Sequence, residues 1–173
     1  TNTQYVNNFT VPIVKIDVIN NSVKYAEIGN IINLQAGTYN QRVVIDKSLT
    51  LQGVDSATCI LDGTGLGSGS GIAINGGVTN VSIKEMRIQN FTGTSGNSTA
   101  AIFATSSNND LTIHRVTVQN NPSNHGIFGG ALSGINNVSV TNSRVINHGP
   151  GLRGIVLWDG LKTNINITNN LVS

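Results

Sequence analysis

Five residues are chemically equipped for proton transfer: His125 in SNHG, His148 in NHGPG, Arg153 in LRG, and Asp159 and Lys162 shortly after it. Together they supply a base, an acid and a cation, which is the set that acting on an acidic sugar by β-elimination or hydrolysis requires. Polar residues in Gly-rich turns are more often simply solvated, so the elements that carry these groups must decide between the two readings. Phe103, Phe128 and Trp158 offer ring faces that suit the apolar side of a pyranose, and Asn75 shares an outward position with Trp158. These four are the candidate substrate-binding residues.

Carboxylates are scarce and scattered. The chain has six Asp and two Glu, and no two of them share a short motif. A glycoside hydrolase needs two carboxylates facing one bond across roughly 5 to 9 Å. A calcium-dependent lyase needs several converging on one hard cation, and only Asp159 lies near the histidines. There is no histidine array or thiol pair for zinc or copper, so no metal and no cofactor is expected. The single Cys59, in TCILDG, reads as a small core residue.

The elements that position these groups are set by a repeat. NVSIKEMRIQN from Asn80 returns as DLTIHRVTVQN from Asp110, NVSVTNSRVIN from Asn137 and NINITNNLVS from Asn164, at spacings of 30, 27 and 27 residues. Self-similarity at that period marks a solenoid. In each copy an aliphatic pair such as Val81 and Ile83, or Leu111 and Ile113, alternates with small polar residues at strand period. A second short strand follows, with Ile88, Val118 and Val145 pointing inward. Asn90, Asn120 and Asn147 close three copies, where their amides could stack in a ladder. GIAIN, AIFAT, GIFGG and GIVLW, from Gly71, Ala101, Gly126 and Gly154, supply a third strand before each copy.

Three strands per turn predict a parallel β-helix of roughly five coils, each about 4.8 Å from the next. On the third strand Ile72, Ile102, Ile127 and Ile155 point inward, so Ala73, Phe103, Phe128 and Val156 form an outward column. Glu85 and Arg115 fall one rung apart and predict a surface ion pair. Thr50, Ser82, Thr112, Ser139 and Asn166 form a single hydroxyl-rich column, too narrow and irregular for a flat ice-binding array.

Residues 1–30 read as a leader strand and a capping helix, and 31–173 as coils. In DVINNSVKYAEIGN, Ile19, Val23 and Ala26 fall on one helix face, with Asp17 placed to cap the start and Gly29 to end it. Such a helix would cover the first coil, whose edges are otherwise unpaired. The last strand, LVS, carries no closing helix, charge or proline. This predicts a truncated solenoid that stacks on further coils or on another chain.

Residues 18–63 resemble the opening coils of the pectate-lyase-like, right-handed parallel β-helix superfamily. Gly29, Ala36, Gly37, Thr38, Tyr39, Ile45, Lys47, Leu49, Leu51, Gly53, Asp62 and Gly63 match its pattern, and Asn30 stands where that pattern has Asp. The resemblance implies a right-handed all-β solenoid with an N-terminal cap. It also implies that the third-strand sheet floors a sugar groove. The superfamily spans polysaccharide lyases, glycoside hydrolases, esterases, tailspikes and adhesins, so fold alone does not choose an activity.

A net charge of +2 from scattered Lys and Arg excludes a nucleic-acid partner, and no run approaches about 18 apolar residues, so no membrane span is expected. Two function classes remain. One is a secreted, cell-surface or periplasmic protein that binds polysaccharide along an outward strand face, with or without lyase or hydrolase chemistry. The other is a noncatalytic adhesin or scaffold segment that uses the same face and the open coil end for protein contacts.

Overall fold

A computed structural model of the chain describes residues 17–93, 99–104, 107–122, 124–129, 135–147, 149, 152–157 and 162–173, with the backbone alone at 128 and 129. The expected leader strand, His148, Trp158 and Asp159 lie outside these residues.

Parallel strands stack into three sheets, which we call A, B and C. Sheet A holds Ile31–Leu34, Leu49–Gly53, Thr79–Lys84, Asn109–His114, Asn136–Thr141 and Thr163–Thr168. Sheet B holds Gly37–Tyr39, Cys59–Asp62, Arg87–Gln89, Thr117–Gln119, Arg144–Ile146 and Leu171–Val172. Sheet C holds Val43–Ile45, Ile72–Ile74, Ala100–Ala104, His125–Gly129 and Ile155–Leu157. Taken in chain order the strands run A, B, C. Among the described residues this makes five complete coils and two strands of a sixth, a parallel β-helix.

Alternation explains the burial. Leu51, Ile83, Ile113 and Val140 stack on one another from sheet A, and Leu61, Ile88, Val118 and Val145 do so from sheet B, all buried. Cys59 is a buried free thiol, as expected. Corners depend on residues that accept the left-handed backbone conformation. Asn80, Glu85 and Asn90 have φ of 54, 52 and 61°, and the equivalents 110, 115 and 120, then 137, 142 and 147, repeat this. Asparagine and aspartate tolerate that region better than other non-glycine residues, so the fold selects the Asn-rich composition. Gly126 sits where sheets B and C converge, and a Cβ there would meet the Gly154 carbonyl and the Val145 side chain.

Three expectations need correction. The asparagine ladder is not made by Asn90 and Asn120. Asn90 donates its amide to Asp62 at 3.0 Å, and Asn120 is exposed. The inward side chain belongs to the residue after each left-handed one: at the sheet B to C corner Asn121 Oδ1 accepts from Phe91 N–H (2.8 Å), and at the sheet A to B corner Ser143 Oγ accepts from Val116 N–H (3.2 Å) and Asn170 Oδ1 from Ser143 N–H (2.8 Å). In the capping helix, Val18–Tyr25, Ile19 and Val23 are buried as expected, but Asp17 is left-handed and makes no side-chain cap. The helix also ends at Tyr25, four residues before Gly29, because Ala26 is already extended (ψ 144°). Finally, Val156 is buried, whereas Ile155 and Leu157 are half-buried, so the in-and-out alternation fails in the strand at the edge of sheet C.

The helix closes the first coil through one side chain. Asn20 donates to the Arg42 carbonyl (2.7 Å) and accepts from the Val44 N–H (3.0 Å), which supplies the edge of sheet C with the bonds of a missing strand. Lys47 Nζ donates to the carbonyls of Lys24 and Ala26, placing a cation at the helix C-terminus.

Candidate functional site

Sheet C carries the outward column singled out by sequence. In backbone register, Val44, Ala73, Phe103, Phe128 and Val156 succeed one another along the axis. Val44 is exposed, Ala73 and Phe103 are half-buried, and Phe103 packs against the core. Its described side chains are therefore apolar, open at the first three rungs and closed at Val156. Asn75 follows the strand Ile72–Ile74 with its side chain exposed, while its carbonyl accepts from Asn108 Nδ2 at 2.7 Å.

Of the proton-transfer set, the structure brings His125 and Arg153 together. They are equivalent positions on successive coils, as the pairing of Ile127 with Ile155 requires. His125 is not at a solvated rim, however. It opens the strand His125–Gly129 and is buried, with Nδ1 accepting the Arg153 backbone N–H at 3.0 Å. That bond places the proton of the neutral imidazole on Nε2. The tight corner at Gly126 draws the preceding residue inside. Arg153 is exposed and Lys162 half-buried.

Other charged groups have structural roles. Glu85 and Arg115 form the expected ion pair at 3.1 Å. For Asp62, burial alone would raise the carboxyl pKa. Donors from Gln89, Thr64 and Asn90 outweigh burial and hold it below the ordinary carboxylate value.

A second surface was only partly legible in the sequence, which showed its hydroxyl column but not the residues beside it. On the outer face of sheet A a trough of about 440 Å³ is lined by the hydroxyls of Thr50, Ser82 and Thr112 and by the left-handed residues Asn80, Asp110 and Asn137. The signal was present in the Asn or Asp that opens every repeat. Only the left-handed bulge reveals that this residue stands beside the hydroxyl column.

The fold defines the class as parallel β-helix. No family model matches the chain, and no curated protein matches it. Two solved structures are similar to it. One is pectin methylesterase in complex with hexasaccharide VII, at 19% identity and a TM-score of 0.42, covering 76% of this chain and 52% of that one. The other is a mutant pectin methylesterase in complex with hexasaccharide IV, at 18% identity and a TM-score of 0.44, covering 75% and 52%. The chain thus spans about half the length of each. Among the described residues, no helix is long and apolar enough to cross a membrane.

Proposed function

We propose that this β-helix is an extracellular, cell-surface or periplasmic glycan-binding protein that holds a polysaccharide along the outer face of sheet C. The observation that carries the reading is the register of Val44, Ala73, Phe103 and Phe128, an unbroken apolar column running along the solenoid axis. Successive rungs are about 4.8 Å apart, so apolar contacts recur along a line, as a chain ligand with a repeating unit needs. Asn75 and the single Trp158 complete the candidate binding set. Binding is favoured over catalysis. The buried His125 commits Nδ1 to the backbone, and the sequence carries no second carboxylate in a short motif with Asp159. Within the candidate set of His125, His148, Arg153, Asp159 and Lys162, His125 is then a positioning residue for the corner that presents Arg153.

A panel of acidic and neutral polysaccharides, read by fluorescence of the single tryptophan, tests the proposal. At least one should shift the emission saturably, and Phe103→Ser and Trp158→Ala should each weaken that binding by about 1 to 3 kcal/mol. If no glycan binds and the protein instead self-associates in a manner that Phe103→Ser abolishes, the column is a protein interface. The adhesin or scaffold reading then replaces this one.

A further inference from the structure

We infer that the trough on sheet A is a second binding site, for an uncharged polyhydroxylated chain such as a neutral oligosaccharide, independent of sheet C. Its hydroxyl column is in strict register: Thr50 pairs with Ser82 and Ser82 with Thr112. All three side chains are half-exposed, and their hydroxyls have no protein partner among the described residues. Beside them runs a directed amide chain. Asn164 Nδ2 donates to Asn137 Oδ1 at 2.8 Å, and Asn137 Nδ2 donates to Asp110 Oδ1 at 2.8 Å. The chain ends on a carboxylate whose other oxygen is left to accept from a ligand.

The lining chemistry selects the ligand. Asp110 is the only charged residue in the trough, so an anionic ligand is repelled and a lone hard cation finds one carboxylate where it needs several. No aromatic residue lines it, so recognition there works through hydroxyl and amide hydrogen bonds rather than ring stacking. Donors and acceptors recur over two rung steps, about 10 Å, which matches an extended chain showing hydroxyls along one edge rather than a compact solute. Sugar hydroxyls would take the place of first-shell water on these groups with little loss of hydrogen bonding. Lys84 and His114 stand one outward position further along their strands, outside the lining. They are the groups an acidic chain would use instead.

Amide chemical-shift mapping by nuclear magnetic resonance, with neutral gluco-, manno- and galacto-oligosaccharides and with oligogalacturonate, tests the inference. At least one neutral oligosaccharide should shift the Ser82 and Thr112 amides saturably. Asp110→Asn and Thr112→Val should each weaken that binding about tenfold, as loss of a hydrogen bond to a charged or well-placed group does. Phe103→Ser should leave it unchanged, which separates this site from the one on sheet C. The inference is overturned if no neutral oligosaccharide shifts these amides. It is also overturned if oligogalacturonate binds here in a Lys84-dependent way, or if Asp110→Asn and Thr112→Val, folded by circular dichroism, bind as the parent does.

Discussion

Replacing Asn121 by alanine tests which asparagine holds the corners. Asn121 is fully buried; its Oδ1 accepts the Phe91 N–H at 2.8 Å, and its Nδ2 donates to the Gln119 carbonyl at 2.9 Å and the Ile88 carbonyl at 3.4 Å. Alanine leaves the Phe91 N–H buried without an acceptor, at a cost of about 1–3 kcal/mol, and removes the Gln119 bond, about 1 kcal/mol more. The long bond to Ile88 adds little, so the total is about 2–4 kcal/mol. Asn120, one residue earlier, is exposed with φ of 53°, and Asn120→Ala costs only the left-handed penalty, about 1 kcal/mol. Urea denaturation with a shared m-value reads both. In a thermal melt the Asn121→Ala loss corresponds to about 2–4 °C per kcal/mol for a domain of this size. Equal costs for the two variants, or an Asn121→Ala protein within about 0.5 kcal/mol of the parent, would refute this inner role of Asn121.

Three other outcomes follow from the same geometry. Because the Asp62 carboxyl is held below its unfolded value, its contribution to stability is present above that value, near pH 4, and is lost as pH falls through the folded one. Acid titration of urea stability should therefore show Asp62→Asn less stable than the parent at pH 7, with the gap narrowing below about pH 4; a gap that stays constant with pH refutes this. Ile83→Asp places a charge in the stacked interior and should destabilise by several kcal/mol, whereas the outward Ser82→Asp should be nearly silent in a denaturant melt. Ala104 lines an interior apolar void of about 30 Å³, so Ala104→Val should gain up to about 1 kcal/mol and the larger Ala104→Phe should lose stability; a loss for both would mean the void closes in solution.

How much the sequence discloses depends on whether a feature follows strand period. Aliphatic pairs such as Val81 and Ile83 recur in every copy, and their burial, the three-strand coil and the parallel stacking followed from that recurrence. Corners do not follow it. In the run Gln119, Asn120, Asn121, the left-handed turn at Asn120 resets the parity, so the second asparagine goes inside and the first goes out. Composition cannot distinguish them. His125 was misplaced for a related reason: a residue before glycine in a polar run reads as a loop, yet the close approach at Gly126 turns it into the first buried residue of a strand. The trough on sheet A was half legible. Its two columns are visible in the repeats, but their adjacency depends on the bulge at residues 80, 110 and 137.

Function in a solenoid is most easily sought where a column changes chemistry, because a repeated residue can serve stacking alone whereas a break in the pattern must be accommodated. Asp62 breaks the outward column that continues as Gln89 and Gln119, but three neighbouring residues donate to its carboxylate, and it is consumed by structure. Glu85 and Arg115 break a column otherwise held by asparagine, and they satisfy each other. Asp110 breaks the column of Asn80, Asn137 and Asn164, and the neighbouring amides point their donors toward it from one side only. It is half-buried and lines the trough next to hydroxyls in register. The apolar column on sheet C differs in kind, since Ala73 and Phe103 continue a stripe that begins at Val44. One face thus offers ring and aliphatic contact and the other hydrogen bonds, both repeated along one axis. A ligand that itself repeats would gain from every rung it crosses, which is the physical ground on which the proposed extended glycan is preferred to a small compact substrate.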